Sequence, residues 1–121
     1  MQAAQSSSDL AAIQAKIVNK QFDEAIVDLE SVLQHDAGNV DALYMQAVCN
    51  RYLRNFTSAL DILDRLKRLA PDHSRAHQEE AHTHRDAGHP KEALRAYARA
   101  CALNPALEAS WRGQLHILQD I

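Results

Sequence analysis

Apolar positions recur along the chain at helical rather than alternating spacing. Between Asn55 and Leu69 they fall at Ala59, Leu60, Leu63, Leu66 and Leu69, a stripe along one side of a helix. Asn55 stands at the cap position of this segment, and Pro90 takes the first helical position of a later one. There its missing N–H costs nothing. Glu24 and Glu92 fall in the first turns, where the helix dipole favours a carboxylate. Ala-Pro-Asp (70–72) and Asn-Pro-Ala (104–106) mark the ends, because proline disfavours helical geometry in the residue before it. Helices over roughly 8–20, 40–53 and 74–87 precede the three stripes, and a last one over roughly 107–119 carries Trp111, Leu115 and Leu118 on one side. Seven helices with short connections predict a stack rather than a closed bundle.

The stack is periodic. Gln21-Phe22-Asp23-Glu24-Ala25-Ile26 aligns with Asn55-Phe56-Thr57-Ser58-Ala59-Leu60 and with His89-Pro90-Lys91-Glu92-Ala93-Leu94, each beginning 34 residues after the last. The same offset carries Leu29 onto Leu63 and Tyr97, Val32 onto Leu66 and Ala100, Leu69 onto Leu103, and Pro71 onto Pro105. It also carries Ala42 onto Ala76 and Ala47 onto Ala81. Agreement at so many positions in one register defines a three-fold repeat. Two helices that cross closely need a small residue at the contact, which Ala59 and Ala93 supply. Leucine at 59 is expected to overpack that contact, at a cost of about 1–3 kcal/mol. Phe22 and Phe56 are expected to fill the seam to the next unit, so stability comes from the stacking of neighbours.

These residues resemble the tetratricopeptide repeat, a 34-residue helix–turn–helix unit. Ala47 and Ala81 match its position 8, Ala25, Ala59 and Ala93 its position 20, and Pro71 and Pro105 its position 32. Trp111 matches the tryptophan of position 4. Repeat one departs furthest, with Ile13 at position 8 and Ala37 in place of the proline. The expected architecture is an all-α right-handed solenoid: a tail over 1–5, units over 6–39, 40–73 and 74–107, and residues 108–121 as a closing helix or the first half of a fourth repeat.

Composition agrees with this reading. The 121 residues are 46% apolar and 24% charged, enough for one domain with its own core. Three Gly, three Pro and 5% aromatics are too sparse for the frequent turns of a sandwich or barrel. Thirteen Lys/Arg against sixteen Asp/Glu give a net charge of −3, which carries no nucleic-acid signature. No apolar run approaches the roughly 18–20 residues that span a bilayer, so no membrane partner is expected. The first twenty residues also lack the apolar centre of a signal peptide. Cys49 and Cys101 cannot make a disulfide scaffold and read as small buried hydrophobes. The default compartment is the reducing cytoplasm.

No catalytic motif is present, and the expectation is a non-enzyme without a cofactor. Gly38, Gly88 and Gly113 are isolated, so no phosphate-cradling loop exists. The clustered Ser6, Ser7 and Ser8 read as a helix cap on a frayed terminus. Five of the seven histidines lie between His73 and His89. His77, Glu80 and His84 share one helix face, and imidazole with carboxylate suits zinc. Hydrogen bonding at a helix seam suits the same residues and is the preferred reading. They occupy family positions 4, 7 and 11, which usually pack, and the helix over 74–87 has no apolar side chain larger than alanine. Its seam is therefore either polar and hydrogen-bonded or loosely packed.

The resemblance implies a concave groove lined by positions 2, 5, 9 and 12 of each first helix. These are Ser7, Leu10, Gln14 and Ile17; Asp41, Tyr44, Val48 and Arg51; Arg75, Gln78, His82 and Arg85; then Ala109, Arg112, His116 and Gln119. Arg51, Arg75, Arg85 and Arg112 make the second half basic, and arginine forks suit carboxylate or phosphate. The function so implied is non-catalytic: a protein-interaction scaffold that holds a peptide, acidic in character, or a partner helix. The Lys/Asn/Asn/Lys/Arg clamp of chaperone-tail binders is absent, since its positions here hold Leu10, Gln14, Val48, Gln78 and His82. The alternative is an accessory repeat domain of a larger enzyme, such as those ahead of the catalytic domain in some bacterial sulfotransferase-like proteins. Self-association through the exposed ends of the stack is a third expectation.

Overall fold

In the computed structural model, which describes residues 2–120 and the side chains of residues 9–119, the chain forms seven helices and no strand among the described residues. They are α1 (Gln2–Val18), α2 (Phe22–His35), α3 (Val40–Tyr52), α4 (Phe56–Leu69), α5 (Ser74–Asp86), α6 (Pro90–Leu103) and α7 (Glu108–Asp120). The first helix begins at Gln2, earlier than the sequence pattern placed it, because its first two turns carry no apolar periodicity to mark them. No described helix is long and apolar enough to cross a membrane.

The turn within each repeat has one geometry, set at three positions 34 residues apart. Lys20, Arg54 and Gly88 adopt positive φ of 63°, 65° and 85°. The amides of Gln21, Asn55 and His89 reach back five residues to the carbonyls of Lys16, Asn50 and His84 at 2.7–2.8 Å. This is a Schellman ending, which satisfies the last carbonyls of the first helix while reversing the chain. Only Gly88 adopts that backbone without side-chain strain. The turns between repeats are closed by side chains: Asn39 Oδ1 and His73 Nδ1 each accept a hydrogen bond at 3.0 Å, from the amides of Ala42 and Ala76. Pro90 stands in the first turn of α6 as the sequence indicates, whereas Asn55 precedes α4 without a side-chain cap.

Each helix packs on the next in sequence, and α3 also contacts α1 and α5, while α5 contacts α7. The odd-numbered helices thus form one layer and the even-numbered helices the other, giving an all-α repeat solenoid. The apolar interior is divided accordingly. Ile13, Leu29 and Cys49 belong to one cluster, Leu43, Leu63 and Leu66 to the next, and Ala81, Ala93, Tyr97 and Ile117 to a third. Ala25, Ala59 and Ala93 are fully buried, as close crossings demand. Phe22 stacks on Tyr52 of the following unit at 4.9 Å between centroids, while Phe56 lies beneath the Arg54 guanidinium at 5.0 Å. Both cysteines are buried and free.

The polar helix α5 is firmly packed, against α6 above all. His77 Nε2 lies 3.0 Å from the Pro71 carbonyl, Thr83 Oγ1 donates to the Glu79 carbonyl at 2.8 Å, and Lys67 Nζ donates to Glu80 Oε2 at 2.6 Å. Among the described residues no buried side-chain N or O lacks a hydrogen-bond partner. The seam is polar and satisfied, which is how buried polar groups avoid their desolvation cost.

The last helix turns the other way round from its apolar stripe. Ser110, Gly113 and Ile117 face the interior, and Trp111, Leu115 and Leu118 face solvent. These inward residues lie 34 after Ala76, Glu79 and Thr83, which are buried on α5, so α7 keeps the orientation of α5, and a Cβ built on Gly113 would lie within 2.8 Å of the Tyr97 ring carbons. The glycine lets α7 settle on that ring, where a bulkier residue could not.

Candidate functional site

The inner layer presents its side chains from α3, α5 and α7. Asp41 and Arg75 are exposed, Tyr44, Val48, Gln78 and His82 are half-buried, and Arg112 and His116 are exposed on α7. Tyr44 stacks on His73 at 5.8 Å between centroids, and burial pushes its hydroxyl above the ordinary tyrosine range. Ser110 Oγ donates to Gln78 Oε1 at 2.8 Å, tying α7 to α5. Among the first-unit positions, Gln14 is exposed and Leu10 and Ile17 pack against the first core cluster. The Ser7 side chain and the serine cluster at 6–8 lie outside the described side chains.

Arg51 differs from the free groove cation that its position suggested. Its guanidinium is ion-paired with Glu79 through Nε and donates to Asp86 Oδ2 from Nη1 at 3.0 Å. Only 10% of its side chain is exposed, against 3% for Glu79. It also lies 4.6 Å above the Tyr52 ring. Burial works against the Arg51 charge, but the two carboxylates more than offset it and hold the guanidinium protonated. Burial draws the Glu79 carboxyl upward while Arg51 pulls it down. Such a pair contributes little net stability but leaves a costly orphan if one partner is removed. The sequence reading missed it because Glu79, at 28 residues' separation, reads as a surface residue of an ordinary helix.

From Asp86 the network continues along the groove. Arg85 bonds Asp86 Oδ1 through Nε and Nη2 at 3.1 and 3.0 Å. Burial opposes the Asp86 charge, but the two guanidiniums more than offset it and hold its carboxyl below the usual range. Arg85 Nη1 also donates to the Tyr97 hydroxyl at 3.1 Å. That hydroxyl lies 2.6 Å from His82 Nδ1. A guanidinium only donates, so the tyrosine oxygen accepts from Arg85; between that oxygen and His82 Nδ1 the donor is set by the imidazole tautomer. Burial first, then the Arg51 and Arg85 charges, lower the His82 pKa to about 4. The sequence-selected Arg51, His82 and Arg85 are therefore one hydrogen-bonded assembly with Glu79, Asp86 and Tyr97. Arg75 and Arg112 stand apart from it, with no ion pair among the described residues.

His77, Glu80 and His84 lie on the other side of α5. They line a cleft of about 410 Å³ together with Lys67, Glu92, Arg95, Ala96 and Arg99. Glu80 is taken up by Lys67, and His84 Nδ1 lies 3.4 Å from His89 Nδ1. Among the described residues no group of three or more His, Cys, Asp or Glu is placed to hold a metal ion. The cysteines offer no reactive thiol, since burial raises Cys49 to about 11 and Cys101 in the same direction.

The tetratricopeptide repeat family model matches residues 19–81, more than half of the chain. No curated protein sequence matches it. Among solved structures, the Arabidopsis OM64 TPR domain is similar at 15% identity and TM-score 0.88, covering 100% of both chains. The first TPR of Spaghetti (RPAP3), bound to the HSP90 peptide SRMEEVD, is similar at 17% identity and TM-score 0.86, covering 95% of this chain and 91% of that one. A Thermobaculum terrenum O-GlcNAc transferase is similar at 19% identity and TM-score 0.92, covering 98% of this chain but 23% of that one. At these identities the likeness is one of fold.

Proposed function

We propose, from the premise that the chain belongs to the tetratricopeptide repeat family, that it is a protein-interaction module whose inner layer holds an acidic peptide. The observation that carries this is the division of labour among its arginines. Arg51 is buried and braces Glu79 and Asp86. Arg85 is anchored to Asp86 yet 37% exposed, and Arg75 and Arg112 stand exposed on α5 and α7. An arginine already held by a carboxylate loses less rotamer entropy when a ligand arrives. Exposed forks then read carboxylates, as in the general recognition of acidic motifs by arginine. The structural neighbour bound to SRMEEVD shows this fold carrying a peptide with three acidic residues. Leu10, Gln14, Val48, Gln78 and His82 stand where the clamp expected of chaperone-tail binders would need lysine, asparagine and arginine, so acidic recognition here uses other contacts.

The test is fluorescence polarisation with labelled acidic peptides, SRMEEVD and sequence-shuffled acidic heptamers among them, against neutral and basic controls. The proposal expects an acidic peptide to bind with affinity that falls as salt rises. Arg75→Ala with Arg112→Ala should weaken it about tenfold or more while leaving helix content unchanged. Binding indifferent to both charge reversal and this double substitution would refute it. A second reading, an accessory repeat domain serving a larger enzyme, draws support from the transferase in which a segment of this fold makes up 23% of the chain. Cytoplasmic residence goes with either reading.

A further inference from the structure

The turn from α5 to α6 differs from its two equivalents in what its side chains can hold. A Schellman ending brings together the side chains of the two residues whose backbones bond across it. In the three turns these pairs are Lys16 with Gln21, Asn50 with Asn55, and His84 with His89. Only the third pairs two imidazoles. The His89 amide donates to the His84 carbonyl at 2.7 Å and the Gly88 amide to the Arg85 carbonyl at 3.1 Å, so the backbone that carries both rings is fixed. The rings lie 5.7 Å apart between centroids and are inclined by 50°. Their Nδ1 atoms stand 3.4 Å apart.

A spacing of 3.4 Å is long for a hydrogen bond to nitrogen, whose usual length is about 2.9–3.0 Å. It is the edge of a zinc tetrahedron: with Zn–N bonds of about 2.0–2.1 Å, two ligand nitrogens lie about 3.3–3.4 Å apart. The right-angled positions of a square-planar or octahedral ion would bring them to about 2.9 Å. Protonation and charge agree with the spacing. Burial holds His84 below the ordinary imidazole range, which favours the neutral form that binds metal. The Glu80 and Glu92 carboxylates lie near enough to act on its charge, and they favour a cation there. Of the residues that the sequence grouped with His84, His77 is held at the Pro71 carbonyl and Glu80 by Lys67. The second imidazole comes from across the turn instead. No third donor stands with the pair among the described residues, so the coordination is open and completed by water. We propose that His84 Nδ1 and His89 Nδ1 chelate a zinc ion, which fastens the end of α5 to the start of α6. Two protein ligands in place of three or four put the dissociation constant on the order of 10–100 µM.

Isothermal titration of the untagged chain with zinc chloride at neutral pH should show a single ion taken up per chain. Cobalt in its place should give the intense visible absorption of four-coordinate geometry. Zinc should also raise the urea midpoint, because the pair is assembled only in the folded turn. His89→Gln, at the exposed N-cap of α6, should weaken zinc binding about tenfold or more while preserving helicity, and so should His84→Gln. Should His84→Gln reduce helicity, His89→Gln decides alone. His35→Gln removes an exposed imidazole bonded to the Ser31 carbonyl and is the control that should leave binding unchanged. The proposal is overturned if no zinc is taken up at concentrations to about 1 mM. It is equally overturned by uptake that both turn substitutions leave unchanged, which marks an adventitious ion only, or by uptake that His35→Gln abolishes.

Discussion

Acidifying the protein should destabilise it through His82. The ring is hydrogen-bonded to the Tyr97 hydroxyl through Nδ1, and burial together with the Arg51 and Arg85 guanidiniums, with Glu79 and Asp86 behind them, favours its neutral form. Protonating the ring would add a third cation beside the two guanidiniums in a half-buried position. Its pKa is about 4 in the folded chain against about 6.5 unfolded. A group whose folded pKa is depressed in this way leaves stability intact above the unfolded value. Stability is then lost as pH falls from 6.5 toward 4. Between pH 7.5 and pH 5 the loss from this residue is about 2 kcal/mol by linkage, and about 1–2 kcal/mol after allowing for solvent at the half-buried ring. His84 is lowered as well, first by burial, so it adds loss of the same sign. The assay is urea denaturation at intervals from pH 7.5 to pH 5, on the native sequence and on His82→Gln. The reasoning predicts a midpoint that falls with pH and a visibly shallower fall in the variant. Identical profiles for the two proteins would refute the assignment to His82.

Other consequences follow from single residues. Arg51→Ala should cost about 3–5 kcal/mol by stranding Glu79 without its partner, whereas Arg75→Ala on the exposed face of α5 should stay within about 0.5 kcal/mol; equal denaturation midpoints would contradict the division between bracing and exposed arginines. Gly88→Ala should cost about 1 kcal/mol from backbone strain alone, because nothing lies within 4 Å of the added Cβ, and a neutral result would show that the turn relaxes. Gly113→Ala should cost about 1–3 kcal/mol by pushing α7 off the Tyr97 ring, seen as a lower melting temperature together with altered Trp111 emission; no change in either would mean that the ring yields freely.

The fold was legible because its information is periodic. The alanines at 25, 59 and 93, the leucine stripe of 59–69 and the prolines at 71, 90 and 105 mark the helices, their crossings and their limits in one chain. The site was legible only in part, since position in a repeat says which way a side chain leaves its helix and not what awaits it. Arg51 and Arg75 occupy groove positions alike. One is neutralised by Glu79 and Asp86, which lie 28 and 35 residues away, and the other stays exposed. Gly113 and Tyr97 are matched in the same way: Tyr97 replaces the leucines at 29 and 63, and a glycine opposite leaves room for the larger ring. Long-range complementarity of this kind leaves no local pattern.

The central claim is that the inner layer takes up an acidic peptide through its exposed arginines. Amide chemical-shift mapping with the tightest-binding acidic peptide tests it most directly. The account predicts shifts confined to α3, α5 and α7 around Tyr44, Arg75, Gln78, Arg85 and Arg112. Shifts centred on α4 and α6, or none at saturating peptide, would contradict it.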